Sequence, residues 1–266
     1  MKTVRTDRTQ LQIIAMITMF IDHLGCSVFP IILKNAGYNY HGSVLEFLIR
    51  GVIGRIAFPL FVFLLVEGIY HSHNLYYYIL RLLILGLISF IPHMLFNCGK
   101  LWDSGEDVTV LFTLILAALN IFMYEKLGNI FLRIGSFIIL CVISFVIGSE
   151  YAITGIVIAF VFYIFRYKTD KLLLYGGIAL IAGSVMITPL YYLRHYGLDY
   201  CVNNGIFSLN FLITGAENEL VSLIALIFIY LYDEKKKGGK GLPKIFTYGF
   251  YPLHLTFLYI ISLIIK

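Results

Sequence analysis

The stretch LQIIAMITMFIDHLGCSVFPIIL, residues 11–33, decides the fold, because Asp22 is the one charged side chain in it. A helix of that length crosses the hydrocarbon core of a bilayer. An ionised Asp near the centre of such a helix costs about 2.5–3.5 kcal/mol on insertion scales. A carboxylate at that depth, followed at once by the imidazole of His23, is by its cost a candidate functional site. The plainer reading is an Asp that satisfies a neighbouring Arg and locks helix packing.

The rest of the chain agrees with a membrane setting. Of its 266 residues 60% are hydrophobic and 13% charged, about half the charged fraction of a soluble domain. Mean hydropathy is +0.88. Apolar runs recur throughout, so the sequence predicts an all-α polytopic helical bundle forming a single domain over residues 1–266. The first run lacks an A-x-A-like cleavage site and more spans follow it, so it reads as a retained span. The net charge of +5 is no nucleic-acid signature, since the basic residues sit in short loops. Cys26, Cys98, Cys141 and Cys201 show neither C-x-x-C nor Cys/His metal spacing, so no metal site is expected. Cys98 and Cys201 fall in two loops on the same expected side, which admits a disulfide.

The hydropathy pattern predicts about nine spans: residues 11–33, 45–70, 75–96, 108–124, 134–147, 150–166, 172–193, 220–232 and 245–265. A re-entrant piece is possible near 207–214. With nine spans the basic segments share one face: Lys2, Arg5 and Arg8; Lys126 and Arg133; Arg166, Lys168 and Lys171; and the lysines within 233–244. The positive-inside rule makes that face, and the N-terminus, cytoplasmic. Asp103, Glu106, Asp107 and Glu150 then lie outside. No internal repeat suggests the duplicated architecture of many transporters.

Counting along the helices puts Asp22 and His23 midway through the first span and His254 midway through the last. Arg55 and Pro59 fall in the second. These four polar groups (Asp22, His23, Arg55, His254) can meet in one chamber, with Asp22 orienting His23. Each has a plainer role: Arg55 as counter-ion to Asp22, and His254 as a donor to carbonyls freed by Pro252. Tyr76, Tyr77 and Tyr78 read as an interfacial belt. A carboxylate-held His serves as a general base, and an Arg beside it stabilises an oxyanion or holds a phosphate. A cationic cytoplasmic mouth, formed by Arg81, Arg133, Arg166, Lys168 and the Lys235–Lys237 run, attracts a polyanion. The same groups also suit a proton-coupled transporter of small molecules.

Several blocks then resemble the TraX family of membrane acetyltransferases. They are LQIIAM with MFIDH at residues 11–23, IGRIAFPLF at 53–61 followed by Glu67-Gly68, and YILRL at 78–82 with Ser89. Phe112-Thr113-Leu114 and FYPLHL at 250–255 complete the series. Their order along nearly the whole chain carries the resemblance, which extends to the wider class of transmembrane acyltransferases. It implies a multi-pass protein of a bacterial cytoplasmic membrane that moves acetyl from cytoplasmic acetyl-CoA to an amine or hydroxyl of a peptide, protein or surface glycan. His23 is then general base or transient acetyl carrier, Asp22 its orienter, Arg55 the oxyanion or phosphate ligand and His254 a second imidazole. His71, Arg81, Arg133 and Lys168 would seat the CoA phosphates; homo-oligomerisation is left open. Departures from the family pattern occur at His71-Ser72-His73-Asn74, Phe90 and Glu150-Tyr151-Ala152, and they bear on acceptor and cofactor detail.

Overall fold

The computed structural model describes residues 5–103, 105–233 and 241–266. The helices in chain order are α1 (Arg8–Asn35), α2 (Val44–Tyr70), α3 (Leu75–Cys98), α4 (Val110–Lys126) and α5 (Ile130–Ile147). They continue with α6 (Ala152–Phe165), α7 (Thr169–Asn203), α8 (Leu209–Leu220), α9 (Val221–Tyr230) and α10 (Lys244–Ile265). Among the described residues there is no strand, only the isolated parallel bridges Thr6–Tyr232 and Val108–Ser149.

Local chemistry sets several helix ends. Asp7 caps α1 reciprocally with Gln10: its carboxylate accepts from the Gln10 N–H at 2.9 Å, and the Gln10 amide oxygen accepts from the Asp7 N–H at 3.0 Å. Asn129 caps α5 through the Phe131 N–H at 2.8 Å. Gly148 ends the same helix at φ 66°, a left-handed conformation suited to glycine. In α7 the backbone breaks at Gly197, with φ 80° and ψ 173°.

Among the described residues six helices are long and apolar enough to cross a membrane: α1, α2, α3, α5, α7 and α10. Taking the bent pair α8–α9 as one span gives up to seven. Of the nine expected segments, α4 and α6 fall short, at 17 and 14 residues. At 1.5 Å per residue they reach about 26 and 21 Å, less than the ~30 Å hydrocarbon core. On α5 the apolar side chains point away from the protein, with Ile138, Ile139, Val142 and Val146 all more than half exposed. An apolar stripe of that kind is stable in lipid rather than water. The chain is a multi-pass membrane protein.

Two compact units emerge. Unit 1 holds Met1–Leu64, Ile91–Trp102 and Val221–Lys266; in it α1 packs on α10 and on the first half of α2. Unit 2 holds Leu65–Phe90 and Asp103–Leu220; there α6 packs on α4 and α7, and α7 on α8. The lysine run read as part of the cationic mouth lies outside the described residues.

Candidate functional site

Within unit 1 the structure joins His23 of α1 to His254 of α10. His23 Nδ1 stands 2.7 Å from His254 Nε2, and the rings stack with centroids 4.9 Å apart. His254 Nδ1 lies 2.8 Å from the Phe250 carbonyl oxygen. A carbonyl only accepts, so Nδ1 of His254 carries a hydrogen and donates it. In the neutral ring Nε2 is then an acceptor, which makes His23 Nδ1 the donor. The lone pair of His23 is thereby fixed on Nε2. The bonding chain alone sets both tautomers.

Aromatic rings confine this pair. Phe250 stacks on His254 with centroids 4.7 Å apart, and Phe96 meets His23 edge-on at 5.3 Å. His254 is buried and His23 half-buried. A third imidazole, the buried His93 of α3, faces Asn97, whose Nδ2 is 3.1 Å from His93 Nε2. His93 and Arg50 are both electrostatic neighbours of His23. The plainer role for His254 does not match the bonding. Pro252 removes the helical donor for the carbonyl four residues back, that of Tyr248, whereas His254 bonds Phe250.

Asp22 follows a different course from the expected one. Successive helix residues diverge by about 100°, so Asp22 and His23 cannot share a face. His23 is oriented by His254, and Asp22 turns to α2. There Gly54 gives it room: a Cβ on Gly54 would stand 2.6 Å from Asp22 Cγ and 2.8 Å from Asp22 Cβ. One turn along, a Cβ on Gly25 would meet Ile49 Cγ2 at 2.6 Å, the Tyr40 hydroxyl at 2.9 Å and Arg50 Cγ at 3.0 Å. The pairs Asp22–Gly54 and Gly25–Arg50 describe an antiparallel seam whose close approach rests on two glycines.

The seam coincides with irregular helix. Phe47–Ile53 is π-helical and Gly54–Ile56 is a 3-10 turn. Such inserts in a span often accompany function. This one carries Arg50 and Arg55, which are electrostatic neighbours, with Asp22, Glu46 and Cys26 also close to Arg50. Arg50 Nη1 is 3.4 Å from Glu46 Oε1. Arg55 directly follows the glycine that admits Asp22 and is half-buried.

The four residues expected at a phosphate mouth all belong to unit 2. His71 Nε2 lies 3.5 Å from Glu67 Oε2. Arg81 is exposed and lies over the Tyr78 ring at 5.9 Å. Arg133 donates from Nε to the Leu127 carbonyl at 2.6 Å and sits over the Tyr124 ring at 4.5 Å. Lys168 is exposed at the head of α7. Arg166, expected in the same mouth, is instead buried against Glu67: Nε is 2.5 Å from Oε1, with side-chain exposures of 4% and 2%. Its guanidinium lies 3.7 Å from the Tyr70 ring centroid. None of the four cysteines forms a disulfide; the Cys98 thiol donates to the Met94 carbonyl at 3.1 Å, so the Cys98–Cys201 bridge is not made.

Sequence reading passed over Arg50, His93 and Tyr40 as site residues. His93 carried a usable signal, a histidine directly after Pro92 within a span, much as His254 follows Pro252 by two residues. Arg50 and Tyr40 are brought in by the π-helical turn and by a folded-back loop, neither of which has a sequence signature.

An all-helical, multi-pass membrane protein with a tautomer-fixed histidine pair between its first and last long helices is the class that fold and site define. The chain belongs to the TraX protein family, whose model matches residues 7–262. It is similar to the probable fimbrial assembly protein FimC, serogroup H1, of Dichelobacter nodosus, at 33% identity over 131 residues. That match covers 47% of this chain and about half, 49%, of the relative. No solved structure matches the chain.

Proposed function

We propose that this protein is an integral-membrane acetyltransferase, moving acetyl from acetyl-CoA to an amine or hydroxyl of a peptide, protein or surface glycan. In this reading the nine segments predicted from the hydropathy pattern are all embedded, with the N-terminus cytoplasmic. The single observation that carries it is the bonding chain Phe250 carbonyl–His254–His23. It leaves His23 Nε2 as an unprotonated base, held within a span, where such a group is costly to keep without a use.

His23 Nε2 takes the proton of the acceptor amine as its nitrogen attacks the thioester carbon. It returns that proton to the sulfur as the C–S bond breaks. Meanwhile His23 Nδ1–H stays bonded to His254 Nε2, which accepts that hydrogen bond and steadies the imidazolium, as the carboxylate does in a carboxylate–histidine pair. Positioned proton transfer of this kind contributes about 10²–10⁴ in rate. Arg55 supplies positive charge to an anionic oxygen, and Asp22 holds the α1–α2 seam in register. The exposed Arg81 and Lys168, with Arg133 and His71, attract the CoA phosphates. Kinship with a family linked to pilin acetylation, and with a relative named for fimbrial assembly, supports a peptide or protein acceptor.

The test is thiol release from acetyl-CoA by purified protein given a panel of amines. Wild type should release thiol in step with amine acetylation, and His23→Ala should lose about 10²-fold or more. Solute uptake into sealed vesicles with no thiol release would instead support proton-coupled transport through the same imidazoles.

A further inference from the structure

In unit 2 a cavity of about 270 Å³ opens where the turn between α5 and α6 faces the second half of α7. The turn is tied in place. The Val108 N–H donates to the Gly148 carbonyl at 2.7 Å and the Glu150 N–H to the Val108 carbonyl at 3.1 Å, which brings Asp107 to the cavity wall. Gly148, at φ 66°, leaves room that Arg194 of α7 occupies, since a Cβ there would fall onto the guanidinium. Arg194 pairs with Asp107, and His195 Nε2 stands 3.4 Å from the same carboxylate oxygen. Ala152, also in the lining, holds a left-handed backbone at φ 38°. Strain of that kind gathers at functional sites.

The lining decides what the cavity takes. Asp107 and Glu150 carry two negative charges against the one positive charge of Arg194, so with His195 counted neutral the wall is left negative by one. Glu106 adds to this as a further electrostatic neighbour of Tyr191. A carboxylate or phosphate would be repelled there and a cation attracted. The rings of Tyr151 and Tyr191 favour the same charge, because an aromatic face attracts cations. Phe145, Ile187 and Leu190 supply apolar wall, which a bare ion does not use. Among the described residues no group of His, Cys, Asp and Glu is placed to hold a metal ion. An ammonium on a short apolar arm answers the charge, the rings and the apolar wall together.

We propose that this cavity between the α5–α6 turn and α7 binds a primary organic ammonium, with Glu150 as the carboxylate that holds it. Asp107 is matched by Arg194, which leaves Glu150 to set the charge of the site. In the orientation proposed above this end of α7 faces outside, where an amine acceptor would arrive. Binding itself does not depend on acetyl transfer.

The experiment is calorimetry on the purified protein in detergent, without acetyl-CoA, near pH 6.5, below the α-amino range of about 7.7–8.0. The probes are leucinamide, its neutral counterpart 4-methylpentanamide, which lacks only the amine, and potassium ion. Wild type should bind leucinamide saturably and about fivefold more tightly than 4-methylpentanamide, and an equal concentration of potassium should leave that binding unchanged. Glu150→Gln should bring the two amides within about twofold at an unchanged thermal midpoint, because Glu150 is exposed and Gln keeps its shape. Glu150→Asp, which keeps the charge, should retain the preference; its loss there as well would overturn the role of that charge. Equal affinity for the two amides, or no binding of either by well-folded wild type, would overturn the proposal. A preference that survives Glu150→Gln would overturn its assignment to this cavity, and displacement of leucinamide by equal potassium would make the site one for inorganic cations. Each result stands whether or not the protein transfers acetyl.

Discussion

Adding one methyl group at Gly54 tests the α1–α2 seam most sharply. In an ordinary helix Gly→Ala stabilises by about 1 kcal/mol, because it reduces the freedom of the unfolded chain. At Gly54 the new Cβ would stand 2.6 Å from Asp22 Cγ and 2.8 Å from Asp22 Cβ. Carbon atoms normally rest about 3.5–4.0 Å apart, so the neighbours must give by roughly 1 Å. Turning Asp22 about its Cα–Cβ bond relieves the first contact and not the second, since Cβ is fixed to the α1 backbone. The helices themselves must part, and overpacking of that kind costs about 1–3 kcal/mol. Gly54→Ala should therefore lower the unfolding midpoint in detergent by several degrees, at about 2–4 °C per kcal/mol for a chain near this size. Gly135, within α5, has nothing within 4 Å of its Cβ position and supplies the matched control. Gly135→Ala should be neutral or raise the midpoint. If Gly54→Ala were as stable as Gly135→Ala, the close approach of Asp22 to α2 would be refuted, and with it the separation of Asp22 from His23.

Three further outcomes are expected. His254→Ala removes the acceptor for His23 Nδ1 and should cut acetyl transfer about 10²-fold, while Phe96→Leu, which alters only the ring beside His23, should cost far less; kcat on thiol release checks both. Glu67→Ala strips the carboxylate from the buried Arg166 and should cost about 3–5 kcal/mol in unfolding measurements, whereas a Glu67→Leu/Arg166→Leu pair should recover much of it. Tyr40 ionises near pH 10 when unfolded and at about 12 when folded, so its stabilising part is complete below pH 10 and fades as pH rises toward 12. Midpoints measured across that range should fall more steeply for wild type than for Tyr40→Phe.

How far the sequence foretold the site depends on which residue is asked about. His23 and His254 were legible because a polar group in a span must be compensated, and each broke an otherwise apolar run. The helical segments were legible for the same reason. The partner of His23 was misassigned, because adjacency in sequence suggested Asp22 where helix geometry separates the two by about 100°. Arg50 looked like an interruption of the second span; only the π-helical turn at Phe47–Ile53 brings it to the Asp22 face. Arg166 was expected to be a surface cation, and the buried Glu67 changes that. Pairings between distant helices are set by packing register, which a single sequence does not encode in any local pattern.

Acetyl-CoA binding to the purified protein, followed by calorimetry for wild type and His23→Gln, addresses the central claim most directly. Saturable binding by both proteins, with acetyl transfer confined to wild type, is the predicted result. It would place the donor on this chain and leave His23 with the proton chemistry. Absence of binding by well-folded wild type would contradict the account and shift the imidazole pair to proton-coupled transport.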